Sequence, residues 1–386
     1  MIDDWNVKMN TYDVIVVGIG GMGSATLYEL QKRGKHVLGI EQFGVPNDQG
    51  SSHGSTRIIR LAYYEHPSYV PIMQRGYKLW RDLENISNEK LLHITGSIDI
   101  GPENSLVFSG SKYSCELHNL PHEILNGDEI SKLFPAFTLP KEIMSVFQPD
   151  GGFLEPEKCI QAFVKLACSL GAELHTGERV LEWSSTSSGS IKLKTNVREY
   201  ETESLVLTTG AWTGKLASEL SLKLKPERQL MGWFKTNNPK SFSPEKLPVF
   251  NLLVPEGRYY GFPEFDIPGF KIGLYHHLAE AVDPDCLDRS IITKADEMAL
   301  RKCVSEYFPD ANGAMIMGKV CMFTNSPDEH FIVDRLEEHP NVFVAAGFSG
   351  HGFKYCSVIG EILACLINEL EIDLDIDMFK TSRFAK

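Results

Sequence analysis

The sequence predicts a mixed α/β protein in which a nucleotide-binding domain is assembled from separated segments and a second domain fills the intervals. Three observations carry this. The apolar run YDVIVV at Tyr12–Val17 leads into the glycine turn GIGGMG and then the helical pattern SATLYELQKRG. The same strand–glycine–helix order returns where ESLVL runs into TTGAWTGKL, and again where NVFVAAG runs into FSGHGFKYCSVIGEILACLINEL. Junctions this far apart in a chain of 386 residues cannot belong to one contiguous stretch.

The elements follow in order. HVLGIE is the second strand of an N-terminal βαβ unit, and Gly34 ends the intervening helix. GAELHTG and ERVLEWSS read as short strands around a turn. IKLKTNVREYETESLVL reads as a hairpin entering an apolar strand, and TTGAWTGKL as a glycine turn opening a helix. The nucleotide domain is expected over residues 10–85, 150–220 and 320–386, and the second domain over 86–149 and 221–319.

Composition narrows the partners. Hydrophobic residues make up 42% and charged residues 23%, enough apolar material for two cores. The net charge of −13 argues against nucleic acid or an anionic membrane as partner, and makes any local basic cluster informative. No apolar run is long enough to span a bilayer. MIDDWNVKMN lacks the apolar stretch of a signal peptide and SRFAK is not a peroxisomal tripeptide, so a cytoplasmic location is expected. The eight cysteines are scattered without a C-x-x-C pair, which argues against disulfides and zinc; apart from Cys321 they are expected to be buried, inert thiols, and no metal is expected.

Gly18, Gly20 and Gly23 form G-x-G-x-x-G between a strand and a helix, and Glu41 closes the second strand. Gly18 permits the tight turn, Gly20 lets backbone approach a pyrophosphate, and Gly23 lets helix and strand pack closely. Glu41 accepts hydrogen bonds from ribose hydroxyls. The second strand feeds straight into FGVPNDQGSSHGSTRIIR, a loop that suits FAD, along which the chain can run toward the isoalloxazine, better than a nicotinamide cofactor. Arg57 and Arg60 stand three residues apart, on one side of the chain if the segment is helical, and guanidinium groups suit bidentate carboxylate binding. Lys354 follows the last glycine turn, where positive charge opposes the helix dipole, so a ligand is expected to justify it.

Together, GIGGMGSATLYEL with Glu41, GSSHGSTRIIR, KVCMFTNSPDEHF and AAGFSGHGFK resemble the monomeric sarcosine oxidase family, whose relatives include N-methyltryptophan oxidase and pipecolate oxidase. The resemblance runs from about Tyr12 to the C-terminus. It implies a Rossmann-like FAD-binding domain of discontinuous segments beside a substrate domain with a large mixed β-sheet. It also implies a monomer that oxidises the C–N bond of a small secondary amino acid with O₂ and releases hydrogen peroxide.

The same resemblance assigns roles. Arg60 and Lys354 clamp the substrate carboxylate, and Arg57 and His53 lie beside the flavin. Tyr63 and Tyr260 face the substrate, and Lys271 activates oxygen. Cys321 carries the flavin 8α-carbon as a thioether, helped by cations such as Lys319. Ser52, Val180, Thr324, Gly350 and Gly352 line the cofactor. One departure bears on substrate identity: where the family commonly has a histidine four residues after the lysine, this chain has Tyr275, followed by His276 and His277. Either Leu274 is an insertion and His276 takes the histidine's place, or the pocket differs. The expected substrate is sarcosine, with N-methyltryptophan or a cyclic imino acid such as pipecolate or proline as alternatives. A flavin dehydrogenase using another acceptor and a non-catalytic flavin protein are the remaining classes.

Overall fold

A computed structural model describes residues 11–218 and 222–384, so the N-terminal stretch read above for targeting lies outside the described residues. An eight-stranded sheet holds the glycine turn. In spatial order six of its strands are Val180–Ser185, Ile191–Thr195, Glu199–Leu207, Thr11–Val17, Val37–Glu41 and Glu173–Thr176, and the other two, Val342–Ala346 and Ile332–Arg335, branch from Glu199–Leu207. Thr11–Val17 pairs in parallel with both Glu199–Leu207 and Val37–Glu41. Glu199–Leu207 is shared: its first half pairs antiparallel with Ile191–Lys194, and Leu205–Leu207 pair in parallel with Val342–Val344. Parallel strands covered on both faces need continuous apolar runs; Ile15, Val16, Leu205–Leu207 and Val344 are fully buried.

The helix Gly21–Lys32 packs against two others, Pro156–Ser169 and Cys356–Ile367. Gly23 makes this helix's approach to the turn possible: a Cβ there would sit 1.9 Å from the Gly18 carbonyl oxygen. Gly18 itself has φ +88°, a conformation that favours glycine.

A second eight-stranded sheet runs Met315–Asn325, Lys225–Phe234, Phe270–Leu274, Gly257–Phe262, Val249–Val254, Ser97–Gly101, Met144–Gln148 and Glu123–Asn126. It is mixed, because Val249–Val254 and Ser97–Gly101 pair in parallel while the other neighbours are antiparallel. A small third sheet joins Arg57–Ile59, Gly152–Leu154 and Leu92–Ile94. No helix among the described residues is long and apolar enough to cross a membrane.

Four expectations change. The domain division expected between residues 319 and 320 falls inside Met315–Asn325, which carries Cys321 in the second sheet, not in the nucleotide sheet. TTGAWTGKL makes only a 3₁₀ turn and one helical turn, Thr213–Leu216. Ala217 leaves helical geometry at φ −129°, and the Leu216 carbonyl accepts from the Trp183 indole N–H at 3.0 Å rather than from a continuing helix. Arg57–Ile59 is a strand, antiparallel to Gly152–Leu154. Arg60 lies one residue past the end of that strand, and both arginines line the same cavity although the segment is not helical. Of the seven cysteines besides Cys321, Cys168 and Cys286 are exposed and Cys365 is intermediate; the others are buried.

Candidate active site

A cavity of about 320 Å³ is lined by the glycine turn and by Arg60, Tyr260 and Lys354. Gly18, Gly20, Glu41, Ser52, Val180, Thr324, Gly350 and Gly352 all line it, so the two glycine turns, separated by more than 300 residues, face one space. The residues fit a dinucleotide. A Cβ at Gly20 would meet nothing within 4 Å, leaving open room where a pyrophosphate would approach. Glu41 is buried and already accepts from the backbone N–H of Ile19 at 2.8 Å and of Phe43 at 3.0 Å, which fixes its carboxylate. Burial raises its pKa, and those backbone donors oppose the rise. The Thr324 hydroxyl is buried without a partner among the described residues, a polar atom that a bound group would satisfy.

In the wall of the same cavity two cations are buried. Arg60 is 2% exposed; its Nη2 donates to both oxygens of Glu65, at 2.9 and 2.7 Å, and its Nη1 donates to the Ala62 carbonyl and lies 3.8 Å from Asp99. Despite burial, which opposes ionisation, the Arg60 charge holds the Glu65 carboxyl down at about 2. Lys354 sits in the 3₁₀ turn Phe353–Tyr355, 5% exposed, with Nζ donating to the His351 carbonyl at 2.7 Å. Burial, reinforced by Arg60, lowers its pKa to about 7.

Tyr63 does not line the cavity. It is a floor beneath both cations: the Arg60 guanidinium lies 4.3 Å and the Lys354 amine 5.3 Å from its ring centroid. Its hydroxyl is 2.6 Å from His351 Nδ1, while Nε2 of that histidine donates to the Glu329 carbonyl at 3.0 Å. The imidazole is therefore neutral with its proton on Nε2, and Tyr63 is the donor to Nδ1.

The ambiguity after Lys271 has a geometric answer. Lys271, Gly273 and Tyr275 fall on one face of the extended chain, and Tyr275 lines the cavity beside Tyr260, 5.6 Å between ring centroids. His276 turns away in the left-handed region, φ +54°, and its two ring nitrogens reach Glu227 at 2.9 Å and Glu329 at 3.2 Å. His276 is thus a clasp between two acids and does not line the pocket, contrary to its expected contact with substrate.

Lys271 and His53 are buried behind the cavity wall and do not line it. Lys271 Nζ donates to the Gly54 carbonyl, the Thr56 carbonyl and the Thr56 hydroxyl at 2.7, 2.9 and 2.8 Å. Burial and Arg57 push its pKa well down; three simultaneous donations, which only an ammonium can make, pull the other way. His53 has no partner on either ring nitrogen among the described residues, and burial, with Arg57, lowers its pKa to about 3. Arg57 lines the cavity, its guanidinium anchored on the Ser51 and Thr56 carbonyls. Cys321 also lines it. Burial raises its thiol pKa overall, and the cations that oppose the rise are led by Arg57 and Lys271.

Sequence reasoning missed Glu65, Asp99, Asn251 and Arg258. Asp99 is 1% exposed and accepts from Ser111 at 2.5 Å and from Asn251 Nδ2 at 2.7 Å, and Asn251 lines the cavity. A signal was present: a polar residue in the middle of each apolar strand, SIDIG and VFNLLV, is a buried polar group that must have a partner.

The sequence model of the DAO family, FAD dependent oxidoreductase, matches residues 13–366. The chain belongs to that family. Among its relatives, the monomeric sarcosine oxidase of Bacillus sp. (strain B-0618) is 41% identical over 378 residues, 97% of this chain and 96% of that protein. The N-methyl-L-tryptophan oxidase of Yersinia pestis (strain Pestoides F) is 32% identical over 97% of this chain and 99% of that protein. This FAD-dependent oxidoreductase also shares its fold with the crystal structure of L-proline dehydrogenase from P. horikoshii, at TM-score 0.84 and 22% identity, covering 98% of each chain.

Proposed function

We propose that this oxidoreductase is an amine oxidase of small secondary amino acids that carries out oxidative demethylation of the sarcosine type. The observation that carries the reading is the pair of buried cations, Arg60 and Lys354, lining the same cavity as the dinucleotide cradle. A carboxylate entering there gains two charge-assisted partners in a site from which water is largely excluded. The 41% identity to a protein named monomeric sarcosine oxidase supports the same substrate class, and that name supports a monomer. N-methyltryptophan oxidase is the second reading, favoured by the 32% identity to a protein of that name.

FAD, when bound, accepts the two electrons of C–N oxidation. The balance for sarcosine is one O₂ and one water consumed, with glycine, formaldehyde and hydrogen peroxide formed. The chain's own residues orient the reaction. Arg60 and Lys354 fix the carboxylate, and Tyr260 and Tyr275 enclose the amine and its methyl group against the cavity wall. Positive charge nearby favours the neutral amine, the form with a lone pair to release. Lys271 supplies buried positive charge that assists reaction with oxygen. Cys321 holds the cofactor covalently, its thiol facing the same cavity.

The test is anaerobic mixing of the purified flavoprotein with sarcosine, N-methyltryptophan, pipecolate, proline and dimethylglycine, followed at the flavin band. Bleaching by sarcosine, and peroxide formed one for one with oxygen consumed, is the expected result. No bleaching by any secondary amino acid would refute the proposal.

A further inference from the structure

Among the described residues Arg258 is a cation without an ion-pair partner. Its guanidinium makes no hydrogen bond among them either, although it is half-buried and stands beside the cavity. Its guanidinium carbon lies 3.8 Å from the Tyr275 ring centroid, so the flat face of the fork rests on a ring that lines the cavity. Stacking covers the face and leaves the edge, with its N–H donors, for an acceptor. In the strand Gly257–Phe262, alternation puts Arg258 on the same face as Tyr260, another cavity-lining residue.

The acids whose charge reaches Arg258 are Glu65 and Glu329. Both are committed elsewhere, Glu65 to Arg60 at 2.7 Å and Glu329 to His276 at 3.2 Å. Tyr64 links the two guanidinium groups: Arg60 lies 4.2 Å and Arg258 5.9 Å from its ring centroid. The cavity therefore holds Arg60 and Lys354 for one carboxylate, and behind the lining ring of Tyr275 stands a further fork, not itself in the cavity wall, whose donors have no acceptor among the described residues; the ring must shift for the fork to reach a ligand.

We propose that Arg258, stacked on Tyr275, is a binding point for a second carboxylate, and that the preferred substrates are N-alkyl amino acids with an acidic side chain, such as N-methylaspartate or N-methylglutamate. This rests on the amine-oxidase reading above and sharpens its substrate class. A guanidinium edge matches a carboxylate in two parallel hydrogen bonds, and a site built for such a group discriminates strongly against the analogue lacking it. Tyr275 acts here as the platform on which the fork rests.

The experiment uses the holoenzyme and pairs of non-oxidisable acids matched in length, succinate against butyrate and glutarate against valerate. Affinity is read from the change in the flavin spectrum at constant ionic strength. The dicarboxylate of at least one pair binds about 10- to 100-fold tighter, the range that charge-assisted hydrogen bonds supply. In Arg258→Gln that ratio falls to about one; Arg258→Lys, which keeps charge without the fork, falls between. A wild-type ratio near one for both pairs overturns the proposal without requiring any variant to fold. A ratio unchanged by Arg258→Gln overturns it as well. Anaerobic flavin reduction by N-methylaspartate and by sarcosine separates the two levels. Reduction by sarcosine with no dicarboxylate preference removes this inference alone, whereas no reduction by any secondary amine removes the amine-oxidase reading.

Discussion

Lys354 makes carboxylate affinity a function of pH. Burial and the Arg60 charge hold its amine at about 7 against an ordinary 10.5, with Glu65 and Asp99 opposing the fall. Charging the amine in the ligand-free protein therefore costs about 5 kcal/mol relative to water. Folding stability carries that penalty in full below pH 7 and sheds it as pH rises toward 10.5, because the unfolded chain then binds the extra proton. A carboxylate needs the ammonium form, so above pH 7 each ligand must bring a proton with it. Affinity then falls about tenfold per pH unit until the pKa of the ligand-bound amine is passed, or about 100-fold between pH 7 and 9. Acetate, ionised throughout this range, is titrated against the flavin spectrum from pH 6 to 9 at fixed ionic strength. Lys354→Met should bind acetate more weakly at pH 6 and show no slope above pH 7. A flat wild-type profile, or a slope that survives in the variant, refutes the reasoning.

Other perturbations are as direct. Cys321→Ser should leave the yellow chromophore in the supernatant after acid precipitation, whereas the wild-type chromophore goes down with the protein; free flavin from the wild type would remove the thioether. Glu41→Gln, made in the Cys321→Ser background so that the flavin can exchange, should lower FAD affinity about 10- to 100-fold, the loss of one charge-assisted acceptor, read by titrating the flavin-free protein with FAD; unchanged affinity would show that Glu41 does not hold the ribose. Glu65→Gln strips Arg60 of its buried partner, leaving Asp99 at 3.8 Å. Stability should fall by about 3 kcal/mol, and saturating acetate should raise the Tm of the variant more than that of the wild type, since the ligand replaces the missing anion; equal Tm values with and without the substitution would contradict this.

Much of the nucleotide cradle was legible because its signals are local. An apolar strand, a glycine turn and a helix announce themselves within twenty residues, and Gly18, Gly20, Glu41, Gly350 and Gly352 do line one cavity. Geometry that depends on period was not. RIIR reads as readily as a helical turn as a strand, and nothing in it chooses between the two. The Tyr275–His276 choice turned on one residue of register, which in an extended chain exchanges the two faces. Partners brought by tertiary contact were hidden altogether: Asp99 and Asn251 meet across the parallel pairing of two strands 150 residues apart, and Arg258 gains its meaning only from Tyr275 and the prior commitments of Glu65 and Glu329.

The shared strand Glu199–Leu207 has a consequence for biosynthesis. Thr11–Val17 and Gly18 are made well before their partners: their parallel neighbour arrives nearly 190 residues later and the strand that flanks that neighbour more than 130 residues after it. Pairings of such sequence separation form slowly, because the loop entropy is spent before the contacts reward it. The second glycine turn, at Gly350 and Gly352, emerges more than 300 residues after the first. A nascent polypeptide therefore displays the G-x-G-x-x-G signature long before it owns a complete cradle, because the cavity is lined by both glycine turns.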